Sequence, residues 1–336
     1  MQTKRFGRTG LHVSALCLGT MTFGNQADEA TSHAILDTAL AHGITFIDTA
    51  DVYPLGGDYS SAGRTEEYIG SWMKARKNRH ELVIATKCRG AMAPGANNEG
   101  LSRKHIMAAC DASLRRLGVE YIDLYQVHSP DPETPIAETL EALTDLVRAG
   151  KVRYIGCSNF PAMQIMQALW TSDVRHLSSF VSLQPRYNML FRMIEDEILQ
   201  VAKTYGLAVI PYNPLAGGML TGRYTAQRTV EPGTRFNLSG AGELYRKRYW
   251  NDEVHNTVAE LQRYFAGRGI SLTHAALAWV RAQEGITAPI IGASRPEQLA
   301  ESLAGLDLVL DADAMAVCNN AWFDLPKERD AAVARR

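Results

Sequence analysis

Four titratable side chains stand at the ends of short apolar segments that are predicted to be buried strands. They are Asp48, Tyr53, Lys87 and His128. Each has an ordinary structural explanation: an aspartate after a strand often caps a helix, a loop tyrosine often only packs, and a single histidine is usually hydrogen-bonded within the fold. A lysine that ends an apolar segment is costly to bury unless it is paired, so a carboxylate is expected beside Lys87.

Taken together, the four side chains support proton transfer to or from an oxygen atom. Tyrosine has a reference pKa of about 10, and a nearby ammonium should lower the pKa of Tyr53 by about 1–3 units. Asp48 would hold Lys87 in place and keep it charged. Tyr53 would then donate a proton to a carbonyl oxygen, or take one from an alcohol, while His128 orients that oxygen.

The same chemistry indicates which cofactor the protein uses. A carbonyl that receives a proton on its oxygen needs a hydride on its carbon, and nicotinamide cofactors deliver hydride. The sequence shows no obvious metal-ligand spacing, so no metal is expected. Later strand ends carry side chains that suit a nicotinamide: Ser158, Asn159 and Gln184 could bond its carboxamide, and Tyr212 offers a flat face for its ring.

Two further segments could bind the phosphates of such a cofactor. The glycine-rich segment 217–223 would let backbone N–H groups approach a pyrophosphate, with Arg223 adding positive charge. Ser294 and Arg295 stand where a helix is predicted to begin, a position that favours an anion. The plain alternative for this second segment is a capped helix with a solvated arginine.

A regular alternation of strands and helices must position these residues. Short apolar strands are predicted near 15–18, 44–47, 82–86, 121–127, 152–157, 180–184, 207–212 and 288–291. Amphipathic segments separate them, and glycine recurs just past predicted helix ends, at positions 43, 118, 150, 206 and 285. Eight strand–helix units in a chain of 336 residues predict a (β/α)8 barrel, which places the strand ends around one mouth.

The main alternative fold is a doubly wound sheet. It would usually carry a Gly-x-Gly-x-x-Gly turn if it bound a dinucleotide, and that pattern is absent. No linker or abrupt change in composition divides the chain, so residues 1–336 are interpreted as a single domain. Residues 3–13 are predicted to form a hairpin that caps the bottom of the barrel. Long loops are predicted at 54–63, 90–100 and 214–251, on the face where barrels keep their active sites.

Composition excludes several classes of protein. The formal net charge is −1, which argues against a nucleic-acid or anionic membrane surface as partner. The five cysteines are scattered and form no Cys-x-x-Cys pair, as expected for reduced thiols. No signal peptide is apparent, and no apolar segment approaches the roughly 20 residues of a membrane span. A cytoplasmic protein is therefore expected.

At this stage the chain resembles the aldo-keto reductase family over nearly its whole length. Asp48, Tyr53, Lys87 and His128 match that family's catalytic tetrad in identity, order and strand-end placement. Cofactor segments of the family are matched at 155–160, 184–188, 212–215 and 291–295. The sequence at 187–188 and 214–218 resembles the bacterial and potassium-channel β-subunit branches more than the aldose reductase branch.

The resemblance implies an NADPH-dependent oxidoreductase that reduces an aldehyde or ketone to the alcohol, reversibly. Tyr53 would be the proton donor, Lys87 and Asp48 would tune it, and His128 would orient the carbonyl. Ser158, Asn159 and Gln184 would hold the carboxamide, with Tyr212 on the ring. The remaining implied cofactor residues are Leu215, Gly217 and Arg223 at the pyrophosphate, Ser294 and Arg295 at the 2′-phosphate, Gln298 near the adenosine, and Ser302, where many members have asparagine.

A non-enzymatic function is the alternative. The channel β-subunit resemblance allows an NADPH-binding regulatory or scaffold protein with slow redox turnover. The substrate is a small carbonyl compound or alcohol that the sequence does not name. Candidate pocket residues are Phe23, Leu55, Met92, Tyr249 and Trp250. Their mostly apolar character favours an aliphatic, aromatic or polycyclic ketone or aldehyde over a highly charged one. Reaction direction, product stereochemistry and oligomeric state are not readable from the sequence.

Overall fold

The computed structural model describes residues 1–224, 230, 233–323 and 325. The strands of this part of the chain are β1 (Thr3–Arg5), β2 (His12–Ser14), β3 (Cys17–Gly19), β4 (Phe46–Asp48), β5 (Val83–Cys88), β6 (Ile122–Val127), β7 (Val152–Ser158), β8 (Phe180–Gln184), β9 (Ala208–Val209) and β10 (Ile290–Ile291). Its α-helices are α1 (Glu29–Ala41), α2 (Arg64–Arg76), α3 (Arg103–Leu117), α4 (Ile136–Arg148), α5 (Ala162–Val174), α6 (Ile198–Tyr205), α7 (Ala241–Tyr249), α8 (Asp252–Ala266), α9 (Leu272–Ala282), α10 (Pro296–Leu303) and α11 (Ala312–Phe323).

The eight strands from β3 to β10 form one parallel sheet that curls into a barrel. Its order is β10-β3-β4-β5-β6-β7-β8-β9, so strands that follow one another along the chain are neighbours in space. Backbone bonds also link β9 to the segment that leads into β10: Thr287 N donates to Val209 O at 2.8 Å, and Ile290 N donates to Pro211 O at 2.8 Å. The predicted (β/α)8 barrel is confirmed.

Side chains of the strands alternate between two apolar cores. Inside the barrel, a small cluster includes Cys17, Phe46, Ala85 and Leu124, one from each of four adjacent strands. The residues between them along the strands, such as Ile47, face outward and join a larger core beneath the helices. Because strand residues point alternately to the two faces, both faces of a helix-covered sheet must be apolar, which explains why these strands are continuous apolar segments.

Glycine residues end helices where the sequence predicts that they should. Gly118 follows α3 with φ +65°, and Gly206 follows α6 with φ +62°. This left-handed conformation is costly for residues with a Cβ atom, so the glycines turn the chain sharply towards the next strand. At the other end of α3, the Ser102 side chain accepts a hydrogen bond from His105 N and fixes where the helix begins.

The N-terminal hairpin closes the bottom of the barrel, as predicted. β1 and β2 pair antiparallel, and Arg8 N in their turn donates to Gly206 O, just before β9. Phe6 is fully buried and packs edge-on against Phe46 inside the barrel, with ring centroids 5.7 Å apart. An aromatic plug of this kind removes the open apolar end of the barrel from water.

Two predictions about the fold need qualification. The long segment 214–251 contains helix α7, so its basic and aromatic residues at 245–249 are helical rather than irregular. Residues 225–229 and 231–232 of that segment, and residues 324 and 326–336 of the predicted domain, lie outside the described residues. Within the described ranges, every helix is too short or too polar to cross a lipid bilayer.

Candidate active site

A large cleft opens where the barrel strands end. Its volume is about 1230 Å³, and its lining includes Asp48, Tyr53, His128, Gln184 and Tyr212. These residues follow four different strands, which shows why a barrel is needed: it brings together side chains that are far apart along the chain.

A buried ion pair lies at the base of the cleft. The Nζ atom of Lys87 donates to Asp48 Oδ2 at 2.5 Å and to Thr49 O at 2.8 Å, with Lys87 0% exposed. The other carboxylate oxygen of Asp48 accepts hydrogen bonds from the amides of Gln184 at 2.8 Å and Gln126 at 3.1 Å. Both charges are therefore well compensated, as a buried pair requires. The carboxylate predicted beside Lys87 is present.

This pairing keeps Lys87 charged. Burial by itself lowers the pKa of the ammonium, but the Asp48 carboxylate and then the Tyr53 phenol act in the opposite direction, and the net pKa is raised. Its Nζ atom lies 5.1 Å from the centroid of the Tyr53 ring. A fixed positive charge therefore stands beside the phenol.

The pKa of Tyr53 corrects one expectation. The ammonium does lower it, but burial raises it by more, so the pKa of Tyr53 lies above the usual value rather than below it. The expected lowering considered only the neighbouring charge and left out the cost of ionising a phenol surrounded by protein. Tyr53 is therefore a protonated phenol at neutral pH.

His128 faces the same part of the cleft. Its ring and that of Tyr53 meet edge to face, with centroids 5.8 Å apart. Burial, followed by the positive charges of Lys87 and Arg89, lowers the pKa of His128 to about 3. The imidazole is thus neutral at physiological pH and can donate one hydrogen bond to an oxygen atom.

The residues predicted to hold a carboxamide form one hydrogen-bonded group. The Asn159 amide donates to His128 O at 2.9 Å and to Ser158 Oγ at 3.0 Å, and its Oδ1 accepts from Tyr212 OH at 2.8 Å. Ser158 Oγ donates to Gln184 O at 2.8 Å. Because Gln184 turns its amide N–H towards Asp48, its Oε1 receives no hydrogen bond within the described residues and remains an acceptor for a ligand.

The segments predicted to bind phosphate lie along another part of the cleft. Leu215, Gly217, Arg223, Ser294, Arg295 and Gln298 all line it. Gly217 has φ +71°, and a Cβ atom there would lie 2.6 Å from the Tyr245 ring. Arg295 is the N-cap residue of α10, and its side chain makes no capping hydrogen bond. Ser302 differs: it does not line the cleft, and its Oγ donates to Gln298 O at 3.0 Å within the helix.

These observations test whether the site suits a nicotinamide dinucleotide. Gln184, whose amide oxygen is an available acceptor, and Tyr212, whose ring is flat, both line the cleft, as a carboxamide on a flat ring requires. Gly217 and Gly218 both have positive φ values and provide the close backbone approach that a pyrophosphate needs. The residues present fit the cofactor that the sequence predicts.

Most of the predicted substrate residues are placed elsewhere. Leu55 lines the cleft, but Phe23 and Tyr249 are 0% and 1% exposed and belong to the apolar core. Trp250 packs against Phe236 in the same core, with centroids 4.9 Å apart, and Met92 is not part of the cleft lining. These four aromatic and apolar residues were predicted from loop position alone, which does not show whether a side chain faces inward.

Sequence reasoning missed two residues of the site. Gln126 lies in β6, two positions before His128, and its amide donates a hydrogen bond to Asp48. A polar residue inside an apolar strand was a usable signal for it. Arg89 lines the cleft two positions beyond Lys87. Within the described part of the chain, no group of three or more His, Cys, Asp or Glu residues could hold a metal ion.

Comparisons with known proteins identify the family. The model of the aldo/keto reductase family matches residues 15–322. An uncharacterized oxidoreductase, YrpG, of Bacillus subtilis is 38% identical over 96% of both chains, and the protein tas of Escherichia coli is 35% identical over 94% of this chain and 96% of its own. A probable voltage-gated potassium channel subunit beta of Arabidopsis thaliana is 35% identical over 92% of both chains. The chain belongs to the aldo/keto reductase family of oxidoreductases.

Proposed function

We propose that the protein reduces an aldehyde or ketone to the corresponding alcohol with NADPH. The observation that carries the proposal is the grouping of Tyr53 and His128 at one end of the cleft, above the buried Lys87–Asp48 pair. The cofactor, when bound, supplies the hydride that reduces the carbonyl carbon. The rest of the chemistry belongs to side chains of this protein.

Tyr53 supplies the proton. Its raised pKa keeps the phenol protonated at neutral pH, so the proton is present when a carbonyl oxygen arrives. As negative charge develops on that oxygen, the proton moves from Tyr53 Oη to it. The Lys87 ammonium stabilises the phenolate that remains, and Asp48 holds the ammonium in position.

His128 orients the carbonyl. Because its pKa is lowered to about 3, the ring is a neutral donor and does not compete with Tyr53 as an acid. A hydrogen bond from the imidazole would hold the carbonyl oxygen at the phenol. Tyr53 can act as the acid because its phenol stays protonated, and His128 acts only as a hydrogen-bond donor because its imidazole stays neutral.

Several residues would hold NADPH across the cleft. Ser158, Asn159 and Gln184 would bind the carboxamide, and Tyr212 would support the ring. Leu215, Gly217 and Arg223 would border the pyrophosphate, while Ser294, Arg295 and Gln298 would bind the adenosine end. Arg295 is the basis for preferring NADPH over NADH, because a guanidinium matches the geometry and charge of a 2′-phosphate.

The test is the variant Tyr53→Phe, which removes one hydroxyl group. We expect NADPH affinity, followed by cofactor fluorescence, to stay close to that of the wild type. We expect kcat for a simple aldehyde to fall by about 10²–10⁴-fold, since that is what a positioned acid contributes. Retention of full activity by Tyr53→Phe would remove Tyr53 from the mechanism.

The similarity to channel β subunits supports a second candidate, a regulatory or scaffold protein that binds NADPH and turns over slowly. Multiple-turnover kinetics separates the two. An enzyme will oxidise many equivalents of NADPH within minutes with a suitable aldehyde, ketone or quinone, whereas a regulatory protein will oxidise only about one equivalent in the same time.

A further inference from the structure

The lining of the cleft is rich in arginine. Five arginines line it: Arg89, Arg223, Arg235, Arg248 and Arg295. Asp48 is the one carboxylate among the described lining residues, and Lys87 already neutralises it. Since the whole chain has a net charge of −1, this concentration of arginine marks a site for anionic ligands.

Cofactor phosphates do not account for all of these arginines. Under the proposed function, Arg223 and Arg295 serve the pyrophosphate and the 2′-phosphate. Arg89 lies at the other end of the cleft, because it directly follows β5 and stands two residues beyond Lys87. Its charge contributes to the lowered pKa of His128. Arg89 therefore belongs to the end where a carbonyl substrate would react.

The guanidinium of Arg89 has no hydrogen-bond or ion-pair partner among the residues that the structure describes. Its Nε atom is buried without an acceptor, and no hydrogen bond or ion pair joins the side chain to another described residue. The charge of Arg89 contributes to the lowered pKa of Asp131, but the two side chains share no hydrogen bond. The Asp131 carboxylate instead accepts hydrogen bonds from Leu101 N at 2.7 Å, Glu133 N at 3.1 Å and Thr134 Oγ1 at 2.7 Å. A guanidinium has five N–H donors, and the four on the terminal nitrogens of Arg89 form no hydrogen bond to a described residue, so they can bind a ligand.

The backbone at Arg89 is held in an unusual conformation. Its φ angle is +124°, a region that favours glycine. The neighbours enforce it: Gly100 N donates to Arg89 O at 2.9 Å, and the next residue, Gly90, lies so close to Val52 that a Cβ atom there would be 2.1 Å from Val52 Cγ1. A strained non-glycine residue in a cleft indicates that its side chain is required there.

We propose that Arg89 binds a carboxylate group of the substrate, so that the preferred substrates are aldehydes or ketones that also carry a carboxylate. One planar guanidinium matches one carboxylate through two parallel hydrogen bonds. This inference rests on the proposed function. It replaces the expectation of an aliphatic, aromatic or polycyclic substrate that is not highly charged, because four of the five residues behind that expectation do not line the cleft.

The first experiment measures binding without turnover. The protein saturated with NADPH is titrated with para-methoxybenzoate, with the neutral para-methoxybenzamide and with phenyl phosphate. We expect the benzoate to bind about tenfold or more tightly than the benzamide, and Arg89→Gln to abolish that difference. The control Arg175→Gln removes the same charge from an exposed pair with Glu141, at the residue that follows α5, and should leave the difference intact.

The second experiment measures turnover with a matched pair of aldehydes. In Arg89→Gln, we expect the ratio of kcat/KM for para-carboxybenzaldehyde to that for its methyl ester to fall by about 10–100-fold. Arg89→Lys should restore part of the loss because it keeps the charge but not the paired donors. If Arg89→Gln fails to fold, Arg89→Gly is the replacement, because glycine suits φ +124°.

The outcomes separate this inference from the proposed function. Equal binding of benzoate and benzamide to the wild type would overturn the role of Arg89, even if carbonyl reduction is observed. Tighter Arg89-dependent binding of phenyl phosphate would overturn the choice of a carboxylate. A complete lack of turnover with every carbonyl would instead overturn the proposed function, while the binding titrations would still decide the role of Arg89.

Discussion

Replacing Lys87 with methionine tests the buried ion pair most directly. Methionine fills a similar volume but carries no charge and no donor. The substitution removes the hydrogen bonds from Nζ to Asp48 Oδ2 and to Thr49 O. It leaves Asp48, which is only 3% exposed, as a buried carboxylate supported by two amide donors alone.

The structure allows an estimate of the cost. Hydrogen bonds to charged groups contribute about 1.5–3 kcal/mol each, so two lost bonds correspond to about 3–6 kcal/mol. Breaking a buried ion pair by removing one partner costs about 3–5 kcal/mol, which agrees. We therefore expect Lys87→Met to lower the free energy of unfolding by about 3–5 kcal/mol.

A double-mutant cycle separates the pairing from simple loss of packing. The free energy of unfolding is measured by urea titration for the wild type, Lys87→Met, Asp48→Asn and the double variant, with the fluorescence of the buried Trp72 and Trp279 as the signal. The double variant contains no buried charge at this site. Its cost should be smaller than the sum of the single costs by about 2 kcal/mol or more.

Two results would refute this reasoning. Additive costs within about 0.5 kcal/mol would show that Lys87 and Asp48 do not stabilise one another. A loss below about 1 kcal/mol in Lys87→Met would show that the pair is not buried as described. The matched control is Lys203→Met, which breaks an exposed ion pair with Glu284 and should leave the urea midpoint almost unchanged.

Three further predictions follow from other residues. Arg295→Ala should weaken NADPH binding by about tenfold or more and leave NADH binding unchanged in paired titrations; equal NADPH affinity would contradict the assignment. Burial raises the pKa of Asp51, so the folded wild type keeps a proton there that the unfolded chain releases above about pH 4. The free energy of unfolding of Asp51→Asn should therefore rise relative to that of the wild type above this pH, by up to about 1.4 kcal/mol per pH unit. Parallel curves of unfolding free energy against pH for the two proteins would contradict it. Gly217→Ala should weaken NADPH binding and lower the melting temperature, because the new Cβ atom would contact the Tyr245 ring and φ +71° disfavours alanine. A wild-type NADPH affinity together with a wild-type melting temperature would contradict this prediction.

Much of the architecture could be predicted from local patterns. Continuous apolar segments between glycines gave all eight barrel strands, because a sheet covered by helices must be apolar on both faces. The positions of Asp48, Lys87 and His128 followed from the same pattern, since polar residues at the ends of such segments must meet at the barrel mouth. The hairpin was recognisable from its two glycines and its place at the start of the chain.

The substrate side of the site could not be predicted in the same way. Whether Phe23 or Tyr249 faces the cleft or the core depends on how loops pack, and that is set by contacts between distant segments. Arg89 was overlooked because an arginine after a strand looks like a surface residue until its φ angle and its missing partners are known. The pKa of Tyr53 required the degree of burial, which the sequence does not give.

Asn159 joins two parts of the cleft that would otherwise be independent. One end of its side chain bonds to the backbone of His128, and the other accepts from the hydroxyl of Tyr212. A displacement of the Tyr212 hydroxyl would therefore disturb the hydrogen bond to the backbone of His128. Under the proposed function, we expect a nicotinamide placed against Tyr212 to influence the position of His128 through this one amide, so that the cofactor binds before the carbonyl compound.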